Sequence, residues 1–274
     1  MKSDFFYNNY LGRMLIKILW RLGVFKLAAW FLRTRASKIL ISSYIRNNSI
    51  DMTSFEGQTY NSFAEFFARK KYNIQYVVNP NVLISPCDGN LSIYDITSEL
   101  EIPMKGSHYS IGDLISDYNT SKNFRNGMCF IFRLEASDYH HFCSFDDLYC
   151  TETHFIPGKL HSVQPIACKS VPVYRLNRRW WTLLKTLHFR MVAQIEVGAM
   201  LVGGVSRTKE SEWLYRGSEM GNFELAGSTI ILLFDSRVKE QLMIYPEFKC
   251  AYDGDSEIRV SMGEGIGELR DEEY

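Results

Sequence analysis

The sequence predicts an α+β protein: a β-rich sandwich or barrel-like domain over residues 57–274, behind an amphipathic helical region over residues 1–56. Three observations carry this. Residues 9–33 hold a helical period with basic side chains along one face. Beyond Arg69 the apolar period shortens toward two, and turn residues punctuate it. Ile230 to Phe234 is an unbroken apolar run closed by Asp235, the pattern of a buried strand.

Within 9–33, Arg13, Lys17 and Arg21 recur every four residues near one face, while Leu15, Ile16, Leu19 and Trp20 cover the others. Gly23 divides the stretch into two helices. Trp20, Phe25, Trp30 and Phe31 stand beside cations, as an interfacial helix on anionic lipid requires. A helix packed on its own protein core, with its basic stripe in water, has the same pattern. A third helix is expected over Ser37–Arg46. Asn47-Asn48 breaks it, and an acidic linker through Glu56 marks the domain boundary.

Charge follows the same division. Residues 1–48 hold nine of the 31 Lys and Arg but only Asp4 of the 31 Asp and Glu, so the remainder carries 22 basic against 30 acidic residues. Zero net charge argues against a general nucleic-acid binder, whereas a basic end suits an anionic surface. Four cations interrupt the early apolar stretch, and no small-residue cleavage site follows it. Neither a signal peptide nor a transmembrane helix is expected.

Ser62–Arg69 reads as a short helix with Phe63, Phe66 and Phe67 on one face and Ser62 with Glu65 as a capping box. Strands are expected at Val82–Ser85, Leu91–Ile96, Met128–Leu134, Leu148–Ile156, Met191–Val197 and Thr229–Phe234. Turns are expected at Pro86-Cys87-Asp88-Gly89, Pro157-Gly158, Gly203-Gly204 and Asp253-Gly254-Asp255, with a loose acidic tail over 268–274. The six cysteines form no Cys-x-x-Cys pair and no zinc pattern. They read as reduced, buried thiols, and no metal site is expected.

Four stretches concentrate chemistry. Gly227-Ser228-Thr229 stands at the entrance of the apolar strand. A serine oxygen there can reach the preceding carbonyl and turn an amide into an ester; taken alone, the tripeptide favours a plain hairpin turn that uses the freedom of glycine. Ser85-Pro86-Cys87-Asp88-Gly89 puts a carboxylate in a tight turn, either to orient a histidine or as an ordinary Asp-Gly turn. Asp138-Tyr139-His140-His141-Phe142-Cys143 gathers an acid, a phenol, two imidazoles and a thiol. Alternation sends His140 and His141 to opposite faces, so at most one of them reaches a given site. The glycine-rich Ile195–Val205 lacks the Lys and Ser/Thr of a phosphate loop and the spacing of a dinucleotide fingerprint.

Taken with Phe63-x-x-Phe66-Phe67-x-Arg69, Lys105-Gly106-x-x-Tyr109-Ser110, Ile156-Pro157-Gly158-Lys159-Leu160, Val163-Gln164-Pro165-Ile166-Ala167, Asn177-x-Arg179, Val197-Gly198-Ala199-x-x-Val202-Gly203, Gly217-x-Glu219-x-Gly221-x-Phe223 and Met262-Gly263-Glu264, these stretches form an ordered set. The set resembles the pyruvoyl-dependent phosphatidylserine decarboxylase family. The resemblance implies self-cleavage between Gly227 and Ser228, giving a β chain of residues 1–227 and an α chain of 228–274 that stay together. It implies that Ser228 becomes a covalent pyruvoyl group, which forms a Schiff base with phosphatidylserine and accepts the electrons released with CO₂. It assigns Asp88 to self-cleavage and His140 to decarboxylation. It places the protein on the cytoplasmic face of the cell membrane as a peripheral enzyme and leaves a homodimer open.

The chain departs from the family pattern at one site. The common Asp-Tyr-His-x-x-His-x-Pro reads Cys143 at the second histidine and Phe145 at the proline. Either His140 serves both steps, or the Cys143 thiol takes part with a lowered pKa; His141 and His161 are weaker candidates. Ala226 and Arg216 replace the more usual Leu and Lys without touching the reacting atoms. Two other readings stand beside this one: a pyruvoyl-dependent decarboxylase of a soluble amino acid, and a non-catalytic lipid-binding homologue.

Overall fold

The architecture comes from a computed structural model that describes residues 10–104, 107–199, 202–207, 212–225, 227–252 and 256–270. Lys105-Gly106, Met200-Leu201, Ala226, the Asp253–Asp255 turn and the last residues of the acidic tail lie outside the described residues. So do the side chains of Arg13, Ile16, Lys17 and Trp20, hence most of the basic stripe read from the sequence.

The chain begins with helices α1 (Tyr10–Arg21) and α2 (Val24–Leu32). Gly23 separates them with a φ of 70°, a left-handed conformation that glycine adopts freely. The expected third helix is instead a 3₁₀ turn over Arg35–Leu40 followed by α3 (Ile41–Asn47). Buried Ser37 explains the tighter entry: its hydroxyl donates back to the Thr34 and Leu32 carbonyls. Next comes α4 (Phe63–Phe67), capped by Ser62, whose Oγ accepts from Glu65 N at 3.2 Å. The Glu65 carboxylate accepts from Asn61 N instead of from the cap residue's own amide. Ile41 and Ile50 pack with Phe63, Phe66, Phe67 and Leu225 in one apolar cluster.

The centre is an open, fully antiparallel eight-stranded sheet. Its order is β11 (Trp213–Leu214), β7 (Leu148–Ile156), β8 (Arg179–Thr186), β9 (Met191–Val197), β13 (Ser228–Phe234), β5 (Met128–Leu134), β2 (Gly89–Asp95) and β15 (Ile258–Val260). Two three-stranded sheets accompany it: β10 (Val202–Arg207), β12 (Glu219–Leu225) and β6 (His141–Cys143); and β1 (Val82–Ile84), β16 (Gly265–Leu269) and β14 (Leu242–Ile244). A hairpin, β3 (Glu101–Met104) with β4 (Ser107–Ser110), completes the strands. The α+β sandwich reading therefore holds. No closed barrel forms among the described residues.

Why β13 reads as an unbroken apolar run is now clear. Ile230, Leu232 and Phe234 enter one core with Phe130, Phe132, Phe142 and Phe223, beneath the smaller sheets. Ile231 and Leu233 enter a second core on the opposite face with Ile102, Ile111, Tyr174 and Trp181. A strand covered on both faces has no polar side to alternate with. It begins at Ser228, one residue earlier than expected.

Candidate active site

Ser228 opens β13 and is 1% exposed. Its register partner on β5 is Leu134, and period two puts its side chain on the face of Ile230. A Cβ added at Gly227 would lie 3.4 Å from Val163 Cγ2 and 3.5 Å from the Leu134 carbonyl oxygen, which is ordinary contact. Packing alone does not demand glycine there. The Val163 neighbour comes from a loop that Gly158 lets approach the chain closely: a Cβ at Gly158 would meet the Leu176 carbonyl at 2.5 Å. Buried Asn177 then ties that loop down. Its amide donates to the His161 and Gly198 carbonyls, and its oxygen accepts from His161 N.

Of the sequence-predicted groups, His140 is the one that meets Ser228. The distance from Ser228 Oγ to His140 Nδ1 is 3.4 Å. His140 is fully buried, its ring stacks on Phe67 at 4.2 Å between centroids, and its Nε2 finds no hydrogen-bond partner among the described residues. Burial, and then the Arg69 guanidinium, hold the imidazole down at about 3, opposed in part by the Glu135 backbone and the Asp88 carboxylate. A neutral imidazole beside a buried hydroxyl is the form that can accept its proton.

The bend that delivers His140 is built by Asp138 and Arg69. The Asp138 carboxylate accepts from Glu135 N at 2.6 Å and is ion-paired with Arg259, one contact measuring 3.0 Å. Arg69 lies between the Phe55 and Phe66 rings and donates to the Ser137 and Asp138 carbonyls. His140's own carbonyl accepts from Phe223 N on β12. The two histidines do part company, as alternation predicts: His141 bridges Glu219 on β12 and the Ala68 carbonyl.

Asp88 and Cys143 lie elsewhere. Asp88 Oδ2 accepts from Lys71 Nζ at 2.6 Å, and Oδ1 accepts from Met262 N at 2.8 Å. Asp88 and Lys71 border a cleft of ≈ 280 Å³ with Arg69, Asp138, Tyr139 and Arg259. Cys143 borders an adjoining cleft of ≈ 240 Å³ with Lys71, Tyr139, His141, Glu219 and Met262. Its amide donates to Pro86 O, which sets it against the Asp88 turn. Burial pushes its thiol up to about 12, so the lowered pKa that thiol chemistry requires is not met. Among the described residues no cluster of three or more His, Cys, Asp or Glu could hold a metal.

Sequence reasoning missed Phe67, Arg69 and Lys71 as neighbours of the site. The Phe66-Phe67-x-Arg69 spacing was visible, but nothing local tells that a distant loop will bring His140 against it.

The sequence profile described as phosphatidylserine decarboxylase matches residues 63–268, which include all of these groups. The chain belongs to the phosphatidylserine decarboxylase family. It is 38% identical over 273 residues to phosphatidylserine decarboxylase proenzyme 2 of Clostridium acetobutylicum, covering 97% of this chain and 91% of that one. The phosphatidylserine decarboxylase proenzymes of Clostridium botulinum strain Alaska E43 and Clostridium beijerinckii are 34% and 35% identical, each match covering 95% of this chain and 90% of theirs. Membership accounts for the ordered motifs, and the matched span includes Ser228, His140 and Asp88.

Proposed function

We propose that this chain is a self-processing phosphatidylserine decarboxylase that cleaves itself between Gly227 and Ser228. The observation that carries the reading is the buried contact between Ser228 Oγ and His140 Nδ1 at 3.4 Å. His140 takes the hydroxyl proton as Oγ adds to the Gly227 carbonyl carbon. The C–N bond breaks, the amide nitrogen gains a proton, and an ester joins the two segments. Removal of the residue 228 Hα then expels the Gly227 carboxylate and leaves dehydroalanine at 228. Tautomerisation and hydrolysis release ammonia and yield the pyruvoyl end of the α chain.

His140 also fits the finished group. Its Nε2 is buried and unpartnered, so one ring can serve both the residue at 228 and a bound substrate. When present, the pyruvoyl carbonyl supplies an electrophile for the substrate amine and a sink for the electrons released with CO₂. Phe67 fixes the ring plane of His140 and the packed core excludes water. After CO₂ leaves, the proton that completes phosphatidylethanolamine is assigned to His140.

The substrate sits in a bilayer, and the first helices suit that surface. Leu11, Met14, Leu15 and Ile18 on α1, and Leu27 and Trp30 on α2, are all at least 40% exposed. Arg21, Lys26, Arg35 and Lys38 are exposed beside them. Among the described residues no helix is long and apolar enough to cross a membrane. We assign these helices to the surface of an anionic leaflet, with residues 1–56 as the docking region and 57–274 as the catalytic domain.

The test is intact mass and denaturing electrophoresis of the full chain, followed by release of CO₂ from phosphatidylserine in vesicles. Two fragments split at 227/228, lost in Ser228→Ala, are expected. A single chain indistinguishable from Ser228→Ala sinks the proposal. Full activity on a soluble amino acid but none on vesicles would reassign the substrate. Vesicle binding without cleavage or CO₂ would make the protein a lipid-binding homologue.

A further inference from the structure

Lys71 is not a free surface lysine. The segment after α4 is clamped at three successive side chains. Arg69 is held between the Phe55 and Phe66 rings. Lys70 Nζ donates to Glu219 Oε2 at 2.9 Å. Lys71 Nζ donates to Asp88 Oδ2 at 2.6 Å and stands 5.0 Å from the Tyr139 ring centroid. The two side chains of this last pair are 27% and 11% exposed, so the ion pair is largely withdrawn from water.

Asp88 needs such a partner. A shielded carboxylate must have its oxygens met by donors, and among the described residues backbone supplies one, Met262 N. Arg259 is committed to Asp138, and Arg69 to the carbonyls of Ser137 and Asp138. Cys143 is set against the Asp88 turn by its amide and lines the same cleft as Lys71. It is packed with Phe55, Tyr139 and Met262 and offers a weak thiol where a strong donor is needed. Lys71 supplies that donor from the segment after α4.

We propose that Lys71 is a positioning residue for self-cleavage: it pins the Asp88 carboxylate from the segment after α4, in place of any donor from position 143. The inference rests on the reading that Gly227–Ser228 cleaves itself and that Asp88 supports the reaction. Asp88 ends the turn into β2, two strands from Ser228, and its field favours a proton on His140. A carboxylate released from Lys71 would be held by Met262 N alone and lose its fixed bearing on the imidazole.

The experiment follows cleavage of the full-length chain over time after cell-free synthesis, with the melting temperature of each variant. Lys71→Met is expected to slow cleavage by about tenfold or more, the order of a lost charge-assisted hydrogen bond. Lys71→Arg, which keeps the cation and the donors, is expected to stay within about threefold of the parent chain. In a Cys143→His background, which puts an imidazole beside the Asp88 turn, the Lys71→Met effect should shrink to about threefold or less.

Cleavage of Lys71→Met at the parent rate overturns the inference and leaves the proposed function standing. So does equal slowing of Met and Arg variants with a lowered melting temperature, which marks a structural role. Equal slowing by Lys71→Met in both backgrounds also overturns it. A parent chain that never cleaves removes both readings together. If Cys143→His does not fold, the contrast between Met and Arg at position 71 decides alone.

Discussion

Ser228 and Asp88 lie at one end of the same sheet, two strands apart, in opposite surroundings. Around Ser228 the site is dry: a buried hydroxyl, a fully buried imidazole at 3.4 Å and the face of Phe67. Around Asp88 it is wetter: a carboxylate ion-paired with Lys71, the pair part-exposed at the edge of a cleft. The difference divides the labour. Under the proposed function, proton transfer takes place where a neutral imidazole is the stable form, and the charges that tune it stay paired at the cleft edge. Arg69 reaches both sides, lowering His140's hold on a proton while fixing the bend that carries it.

The dry side breaks most completely at His140. His140→Gln keeps much of the volume but removes the base, so self-cleavage should slow by about 10²–10⁴-fold, the usual range for general-base catalysis. Time-resolved electrophoresis of the newly made chain measures this. A loss under about tenfold would mean that Ser228 gives its proton elsewhere and that the dry contact is incidental.

Acid should find the same side next. His140 sits at about 3 in the folded chain against an ordinary 6.5. Between these values the unfolded chain binds a proton that the folded chain refuses. Stability from this residue is therefore complete above about pH 6.5 and falls as pH drops toward 3, by roughly 5 kcal/mol in all. Urea melts of Ser228→Ala and of Ser228→Ala/His140→Gln from pH 4 to 7 isolate it from the carboxylates, with cleavage blocked in both. Parallel stability curves would show that water already reaches the imidazole.

Phe67→Leu tests what seals the ring. It removes the stack on His140 and leaves a partial void, at a cost of about 1–3 kcal/mol in a denaturant melt. If Phe67 only fills space, the Leu variant loses stability but cleaves with an unchanged pH profile. If it orients the imidazole, cleavage slows in the surviving folded fraction as well.

The two sides also differ in how far the sequence discloses them. Ser228 was legible because β13 announces itself: five apolar residues buried on both faces, with Gly-Ser-Thr at the entrance. Strands such as Met128–Leu134 and Met191–Val197 were legible for the same reason. By contrast β8 and β12 escaped notice. Arg179–Thr186 mixes Arg, Trp, Thr and Lys, and Glu219–Leu225 contains Gly221. Their place is set by pairing partners far along the chain, which local propensity does not register. The pairing of His140 with Ser228 spans 88 positions, and that of Lys71 with Asp88 joins a loop to a turn. Alternation along 138–143 still foretold that the two histidines would part and that at most one would reach a given site, although only His141–Cys143 is a strand.

Cys143 gives the smallest expected effect and the sharpest boundary between the two sides. It borders the wet cleft but is 1% exposed, packed with Phe55, Tyr139 and Met262. Burial pushes its thiol up to about 12, so near neutral pH it keeps its proton and neither yields nor takes one. Cys143→Ala should then cost about 1 kcal/mol of stability through the lost sulfur volume, and leave the cleavage rate within about twofold. The two readouts separate what packing needs from what chemistry needs. Should cleavage instead slow tenfold with stability unchanged, the thiol would be part of the proton path. The dry side would then extend from Ser228 past His140 to β6, and the Asp88 cleft would have to close during the reaction.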